Sequence, residues 1–120
     1  MSLLRRAVRA AALHTEALPD GGWRRCVRFP RESAVFAGHF PGRPVLPAVV
    51  QVLMAEDLLA EYVPLFALAG VPQAKFLAPA GPDADMALTV RPGRSAGVWT
   101  AELRCGTLVI ARFQLEGEAV

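Results

Sequence analysis

Residues 36–62 read FAGHFPGRPVLPAVVQVLMAEDLLAEY, and the fold is decided at the middle of this stretch. The first twelve residues, 36–47, carry three prolines and two glycines. That density forbids helix and regular strand and leaves a shaped loop. From Ala48 to Tyr62 the turn formers vanish. Pro47 suits the first turn of a helix, where its missing N–H has no partner to lose, and Pro64 ends the run. Up to Glu56 the segment is apolar except for Gln51. A helix apolar nearly all round is buried nearly all round. The expectation is one helix at the centre of the molecule, entered through a rigid loop.

Downstream of the helix the pattern changes to period two. Strands are expected at about 72–78, 85–91, 96–105 and 107–116. Turn signals separate them at 79–83, at Pro92-Gly93 and at Cys105-Gly106. Upstream, Pro19-Asp20-Gly21-Gly22 is a strong turn signal between residues 8–17 and 23–29. In the second of these, Trp23, Arg25, Val27 and Phe29 alternate with Arg24, Cys26 and Arg28, as in a strand. The first is rich in alanine, which permits helix. A turn leading into a strand favours a hairpin, and a hairpin is the expectation. Hairpin, buried helix and four strands together predict an α+β domain over 1–120, an antiparallel sheet wrapped around one central helix.

The chain has 120 residues, 53% hydrophobic and 20% charged, which excludes a disordered polypeptide and allows one small core. No apolar run reaches the ~18 residues of a membrane span, and the N-terminus lacks the apolar block of a signal peptide. Cys26 and Cys105 make neither a disulfide framework nor a metal-ligand spacing, so no metal is expected and a reducing cytoplasm is the default. They read as small core residues, and His14 reads as a surface or edge residue. The net charge is only +2, but eight of the 13 basic residues lie within the first 43 positions. Such a face suits water or an acidic partner. No helix-turn-helix spacing, zinc motif or aromatic run accompanies it, which argues against nucleic acid.

His39 is the informative position, a titratable ring in a Pro/Gly loop directly before a buried helix. Histidine exchanges protons near neutrality. A helix N-terminus offers unpaired N–H groups and the positive end of a dipole. A carbonyl oxygen held there is polarised, which suits removal of a proton alpha to that carbonyl. A loop histidine that only bonds backbone is the alternative that spacing leaves open.

The run Gly38-His39-Phe40-Pro41-Gly42-Arg43-Pro44-Val45-Leu46-Pro47 closely resembles the GHFPGxPVxPG signature of the hotdog-fold β-hydroxyacyl-[acyl-carrier-protein] dehydratases. Val49-Val50-Gln51 is similar to a branch of that superfamily associated with aryl-polyene pathways, and Ala74-Lys75-Phe76 with Pro79 and Pro82 resembles the family's KF strand and turn. The resemblance covers roughly residues 8–116. It implies the hotdog fold and a dimer whose two sheets join, each site being built from both protomers. His39 matches the catalytic histidine. The carbonyl of Val45 would orient the imidazole, and the N–H of Ala48 would hold the thioester carbonyl. Gly42 and Arg43 belong to the same loop, Arg43 as a phosphopantetheine or carrier contact. The substrate would be a 3-hydroxyacyl thioester on acyl carrier protein, or on coenzyme A, losing water to a trans-2-enoyl thioester. No cofactor takes part.

Two departures stand out. Ala48 replaces the glycine that ends the signature, keeping its N–H but adding a methyl group. Fourteen residues after the histidine, where the family has Glu or Asp, stands Leu53, which exchanges no proton. General acid–base help is typically worth ~10²–10⁴-fold. Glu56 and Asp57 share the face of Leu53 about one turn further on and are expected at the helix's exposed end. Three readings follow: a dehydratase with an unorthodox acid, an incomplete subunit that borrows its acid from a different hotdog partner, and a thioesterase or acyl-thioester binder.

Overall fold

The computed structural model describes residues 2–37 and 42–119. Its elements are α1 (Leu3–Ala11), β1 (Ala12–Ala17), β2 (Trp23–Val27), a short 3-10 turn (Ala34–Phe36), α2 (Ala48–Tyr62), β3 (Phe66–Phe76), β4 (Met86–Pro92), β5 (Val98–Cys105) and β6 (Leu108–Ala119). The strands form a six-stranded sheet in the order β1-β2-β4-β5-β6-β3, and every neighbouring pair is antiparallel. This is the wrapped α+β architecture expected from the sequence.

The inner face of the sheet and the long helix make the core. Val50, Met54, Ala55, Leu58 and Leu59 of α2 cluster with Val27, Leu88, Val90, Leu103 and Leu115 of the strands, all buried. Burying one such large side chain contributes about 1.5–3 kcal/mol. At the far end of α2, Trp23 stacks on Tyr62 with ring centroids 5.3 Å apart and meets Trp99 at 5.7 Å. The helix runs as expected, except that Pro47 is its N-cap and not its first residue. Burial is also less complete than composition implies. Val49 is 61% exposed, and Val52, Leu53 and Glu56 are half-buried along the same stripe.

The N-terminal hairpin requires correction. Residues 3–11 are helical, and only Ala12–Ala17 pair with β2. Leu4, Val8 and Ala11 recur at helical spacing; Val8 and Ala11 are buried and Leu4 packs beside them. The Ser2 side chain caps the helix by accepting from the Arg5 N–H at 3.2 Å. The turn at 18–22 needs only six residues of partner strand, so the rest of the segment was free to follow its 3.6-residue period. Strand β3 also starts earlier than the expected 72, at Phe66. Its first half alternates half-buried Phe66, Leu68 and Gly70 with exposed Ala67, Ala69 and Val71. Alanine on the outer side hid that alternation from a hydropathy reading. Cys26 is exposed and is no core residue, because it points outward with Arg24 and Arg28; Cys105 is half-buried. His14 is exposed on the edge strand β1, as expected.

Candidate active site

Residues 42–47 lead into α2 and are held from both sides. Gly42 has φ +86°, the left-handed region that glycine enters without strain. Gly42 and Arg43 are exposed, Val45 is half-buried and Leu46 is buried. The Leu46 N–H donates to the Ala80 carbonyl at 2.7 Å. From within α2, Gln51 Nε2 donates to the Leu46 carbonyl at 3.3 Å. Gln51 is 4% exposed and lies on the opposite side of the helix from Leu53, as the spacing predicts. His39 and its neighbours 38–41 lie outside the described residues.

The start of α2 has the electrostatic character that the sequence implies. Pro47 supplies no side-chain cap. Its carbonyl accepts from the Val50 N–H at 3.1 Å and from the Gln51 N–H at 3.2 Å. The N–H groups of Ala48 and Val49, both exposed residues, meet no acceptor among the described residues. Two donors with no acceptor among the described residues, at the positive end of a fifteen-residue helix, favour a partial negative charge at that point. The half-buried stripe of Val52, Leu53 and Glu56 runs down from it. Leu53 lies five residues past Ala48, about 7.5 Å along the axis.

Glu56 and Asp57 are not at a solvated helix end, contrary to expectation. Asp57 is 8% exposed; Arg25 Nη1 donates to Oδ2 at 3.2 Å and Arg9 Nη2 donates to Oδ1 at 3.0 Å. Arg25 is itself buried and also donates to Thr15 Oγ1 at 2.8 Å and to Glu61 Oε2 at 2.8 Å. Arg5 Nη1 lies 2.7 Å from Glu56 Oε1, a close ion pair whose angles do not make a hydrogen bond. All three carboxylates on α2 therefore face arginines. The sequence shows the arginines and the acids but not that α1 and β2 bring them together. The signal was Arg25 in the otherwise apolar inward set of Trp23, Val27 and Phe29, since a charge on a buried face needs a partner.

Among the described residues no group of three or more His, Cys, Asp or Glu side chains is placed to hold a metal ion. No helix among them is long and apolar enough to cross a membrane.

A family model described as ApeI-like, ApeI dehydratase, matches residues 19–107, most of the chain and the whole of the loop–helix unit. The chain belongs to the ApeI-like dehydratase family. Solved structures agree on the fold. The ApeI-like chain superposes on the dehydratase heterocomplex ApeI:P from Xenorhabdus doucetiae with a TM-score of 0.78 at 18% identity, covering 88% of this chain and 95% of that one. An uncharacterised protein from Erwinia carotovora subsp. atroseptica gives a TM-score of 0.70 at 16% identity, covering 92% and 96%. A mutant of the fluoroacetyl-CoA-specific thioesterase FlK gives 0.62 at 16% identity, covering 82% and 84%. No curated protein matches the ApeI-like chain in sequence.

Proposed function

We propose that the chain dehydrates 3-hydroxyacyl thioesters carried on acyl carrier protein, working as one half of a pair of hotdog subunits. The family match carries the reading, and the two N–H groups at the head of α2 that meet no acceptor among the described residues give it a chemical basis. The thioester carbonyl accepts from the Ala48 N–H, which makes the adjacent Cα–H more acidic. His39 takes that proton. The electron pair forms the C2–C3 double bond, and the hydroxyl leaves as water after receiving a proton from an acid. Val45 and Gly42 shape the loop that presents His39.

The acid comes from the other subunit. Leu53 has no proton to give, and Glu56, Asp57 and Glu61 are each held by arginine. A second copy would bring another Leu53, so the productive partner is a different hotdog subunit with a carboxylate on its helix. The heterocomplex neighbour supports such pairing. So does strand β3, an eleven-residue edge with one side unpaired among the described residues and with Val71, Phe76 and, just past its end, Leu77 exposed. Edges of that length and polarity are normally covered.

The test is incubation of the purified chain with a 3-hydroxyacyl carrier thioester, alone and with a carboxylate-bearing hotdog subunit. Enoyl thioester should form with the partner present, and His39→Ala should lower its formation at least ~100-fold. Full activity in His39→Ala, or release of free thiol in place of enoyl product, would overturn the reading.

A further inference from the structure

The outer face of the sheet carries a feature that the dehydration chemistry does not use. Outward-pointing residues align in one row across all six strands: Glu16 on β1, Arg24 on β2, Thr89 on β4, Glu102 on β5, Arg112 on β6 and Lys75 on β3, each directly opposite the next. Around this row lies a trough of about 780 Å³, lined by the cations Arg24, Lys75, Arg91, Arg104 and Arg112 and by the carboxylate Glu102. At its margin Glu16 pairs with Arg24 and Asp20 with Arg91, so the excess positive charge lies with Lys75, Arg104 and Arg112.

The arrangement is not what sheet stability alone would select. Lys75 and Arg112 are direct cross-strand neighbours of like charge, an arrangement that destabilises a sheet. No carboxylate among the described residues pairs with Lys75, while Arg112 and Arg104 share Glu102. That crowding shows in Glu102, whose carboxyl is held below its ordinary range, chiefly by the hydrogen bond from Arg104 and, against burial, by Arg112. The β3 side of the trough therefore carries uncompensated positive charge beside the strand edge proposed for subunit pairing.

A second copy of the chain does not fit this face, because a two-fold contact would set cations against cations. A nucleic acid fits less well than a protein. The lining offers no exposed ring for stacking, as its one aromatic, Phe113, is 3% exposed, and Glu102 sits where a continuous phosphate backbone would pass. We propose that the trough, centred on Lys75 and Arg112, is the docking surface for an acidic protein, and that this protein is the acyl carrier that delivers the thioester. The identity of the partner rests on the proposed function; the surface and its charge preference do not.

Binding is measured with the unacylated carrier protein, so no turnover is required. Lys75→Glu places opposite charges across β3 and β6. It should raise the melting temperature of the chain while weakening carrier binding about tenfold. Lys75→Gln with Arg112→Gln should also weaken binding, and Arg6→Glu, on an exposed part of α1 outside the trough, should bind as the parent does. Raising salt should weaken the parent complex. Parent-like carrier binding in Lys75→Glu would overturn the proposal, as would failure of the carrier to bind the parent, or a preference of the parent for duplex DNA over the carrier. If dehydration fails while Lys75→Glu still loses the carrier, the docking surface stands and the catalytic reading falls.

Discussion

Arg25→Met should be the most damaging single change outside the apolar core. The arginine is 4% exposed and donates to three partners. Glu61 is half-exposed, so that pair is worth only about 0–1 kcal/mol. The main loss is at Asp57, 8% exposed, which would keep only Arg9. Breaking a buried ion pair by removing one partner costs about 3–5 kcal/mol. The surviving Arg9 contact and the apolar volume of methionine place the expected loss at the low end, about 3 kcal/mol. With a urea m-value of about 1.5 kcal/mol/M for a small domain, the unfolding midpoint should fall by about 2 M. Urea titration at neutral pH, followed by Trp23 and Trp99 fluorescence and by far-ultraviolet circular dichroism, measures it, and coincident transitions license the two-state treatment. The double variant Arg25→Met/Asp57→Leu removes the stranded carboxylate and should regain at least half of the loss. A loss under about 1 kcal/mol in Arg25→Met, or no recovery in the double variant, would refute the view that this network clamps α2 to the β1–β2 hairpin.

Other outcomes follow from the same geometry. Because the folded-state pKa of Glu102 is lowered, its contribution is present above the unfolded carboxylate range and is lost as pH falls through the folded value. Glu102→Gln should therefore unfold less steeply than the parent below about pH 4.3, and an unchanged acid limb in thermal melts would contradict this. Gly22→Ala should destabilise by about 1–3 kcal/mol, since its new Cβ would lie 2.3 Å from the Val90 carbonyl oxygen, a backbone atom with little room to yield; a melting temperature equal to the parent's would disprove it. Leu53→Glu puts a carboxyl on a half-buried stripe that can accept it, and dehydration by the chain alone should rise at least ~10-fold. Unchanged turnover in a folded variant would mean that position 53 does not face the substrate.

Local signals identified the loop–helix unit because they need no partner to be read. Proline and glycine between 36 and 47 exclude regular structure whatever surrounds them, and the apolar run after Pro47 must bury most of its surface, although the stripe of Val49, Val52 and Leu53 stays partly exposed. Strands β4, β5 and β6 declared themselves because one face is buried and the other wet, which imposes period two on the sequence itself. The first half of β3 escaped because alanine is indifferent to either face, and α1 escaped because alanine allows both helix and strand.

Pairing of charges was decided elsewhere. Glu56 and Asp57 look like the solvated end of a helix until α1 folds back with Arg5 and Arg9 and β2 turns Arg25 inward. Lys75 and Arg112, far apart in sequence, become neighbours only through the register of β3 on β6. The chain's own order of residues dictates where backbone must bend, coil or alternate, because those preferences act over a few bonds. Which ionised group meets which depends on through-space distance, and distance between remote segments exists only once the sheet has closed around its helix.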